Sequence, residues 1–198
     1  TGTAVDDASS YAVYAGSNVY SGTNGHVLRI SGTGILIAES SDLNVVNTDK
    51  SLNSAGIFAA NSLIIEEGVT VFATGGEAQD PNCSSSGICA GYNGVGTVSL
   101  SGNIAATGRK ATESYGIRIG GTGSGDMDVT LSGTIYAAGQ GFTAPPSYNG
   151  YVCSYGIRVN SARTLDILGK VTAIGGPVAG NGCDSFGLRS NNVVTVKQ

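Results

Sequence analysis

The feature that most constrains the fold of this chain is a pattern, Ser-x-Gly-aliphatic, that recurs along its 198 residues. Successive glycines of the pattern are 29 to 40 residues apart. Repeats of this period build solenoids, propellers and arrays, in which neighbouring units bury each other's apolar faces. The five copies are Ser54–Ile57, Ser85–Ile88, Ser114–Ile117, Ser154–Ile157 and Ser185–Leu188, with Ser10–Val13 as a degenerate sixth.

Two further patterns follow each copy, always in the same order. The second is an alternating segment that ends in glycine: Val98–Gly102, Val129–Gly133, Leu165–Gly169 and, more loosely, Leu63–Gly68. The third reads aliphatic-x-Ala-x-Gly: Val71–Gly75, Ile104–Gly108, Ile135–Gly139 and Val171–Gly175. The segments Val27–Gly32 and Gly34–Ala38 occupy the corresponding places near the N-terminus. Alternation of apolar and polar residues indicates strands with one buried face.

A unit of three short strands cannot bury its own apolar face. If each unit is one turn of a coil, like strands pair in parallel about 4.8 Å apart, and their aliphatic side chains form interior columns. The glycines then mark corners, where a positive φ or a close backbone approach excludes a side chain. We therefore predict an all-β, single-stranded parallel β-helix of five to six coils, which forms one domain over residues 1–198.

The main rivals are an antiparallel sandwich and a propeller, which also contain many short strands. A sandwich does not require one three-strand signature in fixed order, and a propeller blade has four strands in roughly 40 residues. Insertions fall at one place in the unit, before each Ser-x-Gly copy, and would form a ridge of loops suited to binding. They are Glu39–Asn53, Gly76–Ser84, Arg109–Glu113, Gln140–Cys153 and Gly176–Asp184.

From about Tyr11 to Val196 the chain resembles the pectate-lyase-like superfamily of right-handed parallel β-helices, especially the adhesin-like surface proteins of bacteria. The resemblance rests on the repeat layout and on the Ala, Gly, Ser and Thr-rich style of the repeats. It implies a right-handed coil. Because this superfamily contains adhesins and tailspikes as well as polysaccharide lyases and glycoside hydrolases, the fold alone leaves the function open.

The four cysteines predict disulfides. Cys153 and Cys183 lie three and four residues before equivalent repeat glycines, which places them on adjacent coils within disulfide reach. Cys83 and Cys89 form the remaining pair. Such bridges favour an extracellular or cell-surface location, whereas the alternative is four buried thiols. The cysteine spacing matches no zinc site and there is a single histidine, His26, so no metal is expected.

Three arginines form the most informative constellation. Arg118, Arg158 and Arg189 each lie two places after a repeat glycine, where Phe58 and Cys89 stand in the earlier copies. They should stack on consecutive coils and point outward, close enough to repel one another. Carboxylates such as Glu113 or Asp184 would neutralise them. Alternatively the stripe holds acidic groups of a glycan, with Tyr115, Tyr155 and Phe186 beside it unless the bend at the glycine turns those rings inward.

Catalytic patterns are weak. Asn47–Asp49 matches the Asn-Thr-Asp motif of the pectin hydrolases, which the chain resembles in shape, but the Asp-Asp, Gly-His-Gly and Arg-Ile-Lys motifs that follow it there do not follow here. Asp126 and Asp128 are close in sequence, yet alternation places both on the outer face as ordinary solvated carboxylates. Glycoside hydrolysis needs two carboxylates at a set separation across a cleft. We therefore expect no catalytic residues, and His26 has no nucleophile partner in a matching context.

Charge and hydropathy limit the partners. The net charge is −4 with a pI near 4.8, so no basic patch marks a nucleic-acid site. No apolar run is long enough to span a membrane. The last unit stops after its second strand, so we expect a piece of a longer chain. The leading hypothesis is a non-catalytic adhesin-like or stalk module that binds a glycan or a host or cell-surface protein without a cofactor. A β-helical polysaccharide lyase or glycoside hydrolase fragment is the alternative.

Overall fold

The computed structural model describes residues 9–16, 26–43, 52–78, 83–121, 126–144, 148, 150–160, 162–180, 182–191 and 194–197, in which every regular element is a β-strand. The first strands in chain order are β1 (Ser10–Ala15), β2 (Val27–Ile30), β3 (Gly34–Glu39), β4 (Leu52–Ala59), β5 (Ser62–Ile65), β6 (Val69–Thr74), β7 (Cys83–Ala90), β8 (Val95–Leu100) and β9 (Asn103–Gly108). The others are β10 (Glu113–Ile119), β11 (Asp126–Leu131), β12 (Thr134–Gly139), β13 (Phe142–Thr143), β14 (Val152–Val159), β15 (Thr164–Ile167), β16 (Lys170–Ile174), β17 (Val178–Ala179), β18 (Cys183–Ser190) and β19 (Val194–Val196).

These strands form a parallel β-solenoid, as the repeats predict. Sheet A has the order β1-β4-β7-β10-β14-β18 and contains every Ser-x-Gly copy. Sheet B has the order β2-β5-β8-β11-β15-β19, and sheet C the order β3-β6-β9-β12-β16. All strand pairs described within the three sheets are parallel. The inner triplets β4–β6, β7–β9, β10–β12 and β14–β16 make about four turns, slightly fewer than the five to six coils expected. Strands β1–β3 and β18–β19 lie at the two ends, and β13 and β17 belong to the insertions.

Equivalent aliphatic residues lie above one another inside the coil. Ile57, Ile88, Ile117 and Ile157 are paired in register along sheet A, and each is fully buried. On sheet C, the aliphatic and alanine positions of the third pattern face inward, as the alternation predicts. They form the columns Leu36-Val71-Ile104-Ile135-Val171 and Ala38-Ala73-Ala106-Ala137-Ala173. Burial of these columns in one continuous core supplies the driving force for stacking.

The repeat glycines lie where sheet A approaches sheet C most closely. A Cβ atom on Gly116 would lie under 3.0 Å from backbone atoms of Ala137, Ala138 and Gly156. Gly116 has no positive φ, so the glycine is required by close approach rather than by backbone conformation. The alanine column of sheet C lies opposite for the same reason, because a larger side chain would separate the two sheets.

The insertions connect sheet C to sheet A, at the single corner that the sequence indicates. Part of this ridge is ordered by pairing between coils: β13 pairs in parallel with β17, and Leu43 forms a bridge to Ala78. Leu43 and Ala78 also pack with Cys83 and Ala111 in a small core of their own. The ridge therefore has an apolar base of its own where it is described.

The predicted disulfides are wrong, since no cysteine of the chain is in a disulfide. Cys83 and Cys89 are the first and seventh residues of β7, and six residues of extended strand separate them by about 20 Å, far beyond disulfide reach. Cys183 pairs in register with Val152, and Cys153 with Asp184. This offset of one residue turns the two sulfur atoms to opposite faces of the sheet. Cys83, Cys89 and Cys153 are buried and Cys183 is partly exposed.

Candidate functional site

The three arginines stack on consecutive coils, as predicted. Arg118 of β10 pairs in register with Arg158 of β14, which pairs with Arg189 of β18. The same column continues through Cys89 and Phe58 on the preceding coils. The parallel register therefore converts a spacing of about one repeat in sequence into contact between neighbours.

The aromatic residues lie on the outer face of sheet A beside the arginines, and not in the aliphatic interior. Tyr115 and Tyr155 are fully buried, yet they form a separate cluster with Cys153. The bend at the repeat glycine explains this position. Gly116 and Ile117 both face the interior, so the alternation of sides is interrupted there and Tyr115 and Arg118 share one face. This settles which way the rings turn.

Rings and guanidinium groups alternate to form what we call the arginine–aromatic ladder: Arg118, Arg158, Arg189, Tyr115, Tyr155 and Phe186. The ring centroids of Tyr115 and Tyr155 are 5.7 Å apart, and those of Tyr155 and Phe186 are 5.9 Å apart. Each arginine lies over rings of its own and a neighbouring coil, with Cζ 5.1 to 5.8 Å from the ring centroids. Cation–π attraction at this distance contributes about 0.5–2 kcal/mol per pair, and more where water is excluded.

Carboxylates neutralise both ends of the ladder, as one of the two alternatives anticipated. Glu113 forms an ion pair with Arg118 at 3.5 Å, and Asp184 forms one with Arg189 at 3.0 Å. Arg158 instead donates from Nε to Asn160 Oδ1 at 2.6 Å and from Nη1 to the Tyr115 hydroxyl at 3.0 Å. Within the described residues no carboxylate pairs with Arg158, so the three arginines of the ladder outnumber the carboxylates paired with them by one.

Burial in this cluster changes its titration. Burial raises the pKa of the Tyr115 hydroxyl well above its usual value, and the nearby negative charge of Glu113 raises it further. Its hydroxyl accordingly stays protonated and donates to Glu113 Oε2 at 2.9 Å. Burial likewise raises the pKa of Cys153 to about 11, so this thiol is protonated at neutral pH and is a poor nucleophile.

Exposure increases along the ladder toward β18. The side chain of Arg118 is 14% exposed, whereas that of Arg189 is 39% exposed and Phe186 is 45% exposed. Among the described residues, Arg118 Nε is a buried nitrogen without a hydrogen-bond partner. Arg118 is therefore held inside the ladder, and the accessible guanidinium groups are those nearer β18.

The remaining sequence candidates do not converge on this face. The Asn47–Asp49 motif and the Asp126 side chain lie outside what the structure describes. Asp128 is exposed on sheet B, where hydrogen bonds from Arg163 and Thr164 hold the pKa of its carboxyl below the usual value. His26 is exposed. In the described part of the chain no three His, Cys, Asp or Glu side chains group together in a way that suits a metal ion.

A second set of residues was not singled out by the sequence reasoning. In the first four Ser-x-Gly copies the serine points into the corner between sheets C and A, where its oxygen accepts a hydrogen bond from the backbone. In the fifth copy, Ser185 Oγ instead donates to Gly176 O at 2.8 Å. Gly76 N donates to Ser54 Oγ at 2.7 Å, and Gln140 N donates to Ser114 Oγ at 3.0 Å. The recurrence of serine at one position of the repeat was the sequence signal for this role. A buried polar side chain recurs where it satisfies a backbone group that otherwise lacks a hydrogen-bond partner.

Comparison of the chain with protein-family models, with curated proteins and with solved structures finds no match. The described residues also contain no helix with the length and apolar character that crossing a membrane requires. Function must therefore be argued from the surfaces of the solenoid itself.

Proposed function

We propose that this chain is a non-catalytic, extracellular module of a bacterial surface protein, an adhesin-like or stalk domain, that binds an acidic glycan through its arginine–aromatic ladder. The resemblance to adhesin-like β-helices supports the type of protein. The ladder supports the ligand, because guanidinium groups recognise the carboxylates and sulfates of acidic sugars through paired hydrogen bonds.

The single observation that carries this proposal is the unbalanced charge of Arg158, which lies in the middle of the ladder beside its exposed end at Arg189. Arg158 has no carboxylate partner among the described residues, and Arg189 beside it is 39% exposed. Phe186 stacks on Tyr155 and leaves 45% of its own surface exposed, which adds an apolar surface for a sugar ring. The stacked rungs hold these groups in place without a ligand, so binding has little ordering entropy to overcome.

The test measures binding of polygalacturonate, alginate and hyaluronan at low and high salt. We expect binding to weaken at high salt, because salt screens exposed charges over about 10 Å at 0.1 M. The affinity should also fall at least 10-fold when Arg158 and Arg189 are both changed to Gln, because these substitutions remove the two positive charges. The triple change that includes Arg118 should bind no better. Arg163→Gln is the matched control, since Arg163 is 65% exposed and paired with Asp128 on sheet B.

Two results would reject the proposal. Binding that the Arg158 and Arg189 substitutions leave intact would remove the ladder from recognition. Release of unsaturated sugars, detected by their ultraviolet absorbance, would show catalysis and favour the polysaccharide lyase alternative.

A further inference from the structure

The outer face of sheet C carries a slot that the ladder does not use. Phe72, Ala105 and Tyr136 are paired in register on β6, β9 and β12, so a small side chain lies between two aromatic ones. Phe72 is 46% exposed and Tyr136 is 45% exposed. The depression has a volume of about 380 Å³, within the range of small-molecule sites.

The register sets the width of this slot. Phe72 and Tyr136 are two strand spacings apart, about 9.6 Å, with the backbone of Ala105 halfway between them. On sheet A, rings one coil apart stack with centroids 5.7 to 5.9 Å apart. A six-membered ring of a ligand placed over Ala105 would therefore occupy the position of a missing aromatic rung, in contact with both neighbours.

Polar groups surround the slot. Thr70, Thr134, Thr172, Asn103 and Lys170 line it together with the rings. Asn103, Thr134 and Lys170 also line an adjoining groove of about 760 Å³ at the corner between sheets B and C. Ser101 and Ser132 lie in that groove with their hydroxyl oxygens 2.8 Å apart. An apolar wall beside hydroxyl and amide groups suits a ligand that has both an apolar surface and hydrogen-bonding groups.

The charges select among such ligands. Glu66 and Glu67 line the groove, and Lys170 is the one basic residue among the described residues that line it. Glu66 is already paired with Arg29. These carboxylates repel a polyanion. A purely apolar ligand would bury the threonine and asparagine side chains, which would lose their hydrogen bonds to water and gain none in return.

We propose that this face binds a neutral oligosaccharide, with one pyranose ring seated over Ala105 between Phe72 and Tyr136 and the adjoining sugars in the serine-lined groove. The C–H face of the ring packs on the aromatic side chains, and its hydroxyl groups exchange hydrogen bonds with Asn103 and the threonines. This site extends the glycan-binding role proposed above, but it lies on a different sheet and takes sugars of different charge.

The experiment titrates the intact chain with cellohexaose, xylohexaose, maltohexaose and chitohexaose, one at a time, by calorimetry. Ala105→Tyr is the decisive variant, because it fills the slot while an aromatic residue suits an outward position on a strand. We expect at least one hexasaccharide to bind, with affinity reduced at least 10-fold by Ala105→Tyr and by Tyr136→Ala. Arg158→Gln with Arg189→Gln is the matched control and should leave this binding unchanged.

Each other outcome overturns the site. No binding of any hexasaccharide at millimolar concentration, or binding that survives Ala105→Tyr, would exclude the slot while leaving acidic-glycan binding by the ladder to be judged by its own test. Self-association of the chain that Ala105→Tyr abolishes would identify a second copy as the occupant instead. Loss of neutral-sugar binding in the arginine control would place all recognition on sheet A.

Discussion

At the scale of single residues, the serine of the repeat has a defined structural task. Ser54, Ser85, Ser114 and Ser154 are each fully buried, and each accepts a hydrogen bond from the backbone just after a strand of sheet C. Among the described contacts, Ser154 Oγ is the one acceptor for the buried Gly176 N–H, which would otherwise lack a partner at a cost of about 1–3 kcal/mol. The hydroxyl thus adds a hydrogen bond at the corner of each of these coils, beyond those of the three sheets.

Ser154→Ala tests this task. Among the described contacts it leaves the buried Gly176 N–H without its acceptor, so we expect the free energy of unfolding to fall by about 1–3 kcal/mol in chemical denaturation. Ser101→Ala is the control, since that hydroxyl bonds to Ser132 at the surface and its loss should change the free energy by less than about 0.5 kcal/mol. Equal effects of the two substitutions would contradict the assignment.

The buried thiols predict a loss of stability in alkali. Burial raises the pKa of Cys89 and of Cys153 to about 11, from an ordinary value of 9.0. Between these values the unfolded chain has lost the proton and the folded chain retains it. Deprotonation therefore favours unfolding, and the contribution of each thiol, about 2–3 kcal/mol, is complete below pH 9 and is lost as the pH rises toward 11.

The measurement is denaturation at several pH values between about 8 and 11. Cys89→Ala and Cys153→Ala should each flatten the fall in stability over this interval. Cys183→Ala is the control at a partly exposed position. A wild-type slope identical to that of the Cys89 and Cys153 variants would contradict the prediction.

At the scale of the element, the first and third patterns of the repeat belong to one packing unit. The glycine of Ser-x-Gly and the alanine of aliphatic-x-Ala-x-Gly lie opposite each other, because sheets A and C meet there without room for larger side chains. The sequence predicts both strands and the corner between them from these recurring residues. It does not reveal that the glycine also interrupts the alternation of side chains between the two faces of the strand, so the sequence does not determine the face on which Tyr115 lies.

Gly116→Ala tests this corner. The added methyl group would overlap backbone atoms of two neighbouring strands, which cannot move without disturbing several coils. We expect the midpoint of thermal unfolding to fall by several degrees or more, with a loss above about 2 kcal/mol. Gly34→Ala is the matched control, since no described atom lies within 4 Å of the position that the added methyl group would take there. Tolerance of Gly116→Ala would show that the corner is less tightly packed than described.

At the scale of the whole molecule, each coil of the described strands in sheets A, B and C pairs with the coils before and after it. β10, for example, pairs with β7 and β14 in sheet A, and β11 pairs with β8 and β15 in sheet B. Stability of such an array is close to a sum of terms for each repeat and each interface between neighbours. The rigid spacing of groups on the outer faces, on which both proposed glycan sites depend, follows from this arrangement.

A double-mutant cycle tests the nearest-neighbour arrangement. Ile117→Ala and Ile157→Ala affect adjacent residues of one interior column, so we expect their losses, about 2–5 kcal/mol each, to be coupled by more than about 0.5 kcal/mol. Ile57→Ala and Ile157→Ala lie three strands apart in sheet A and should be additive within about 0.5 kcal/mol. Strong coupling in the distant pair would indicate that the coil unfolds through a wider packing network.

The sequence by itself determined the solenoid, the parallel order of its strands, the interior columns and the stacking of Arg118, Arg158 and Arg189, because all of these repeat with the period of the coil. Only the tertiary structure decided what depends on a shift of a single residue or on two coils at once. Examples are the sides taken by Tyr115 and Cys183, the separation of Cys83 from Cys89 along one strand, and the slot over Ala105. Phe72, Ala105 and Tyr136 occupy one position of the third pattern, yet their different side chains interrupt the repetition. A periodic pattern records what every coil shares, whereas binding surfaces arise from the differences between neighbouring coils.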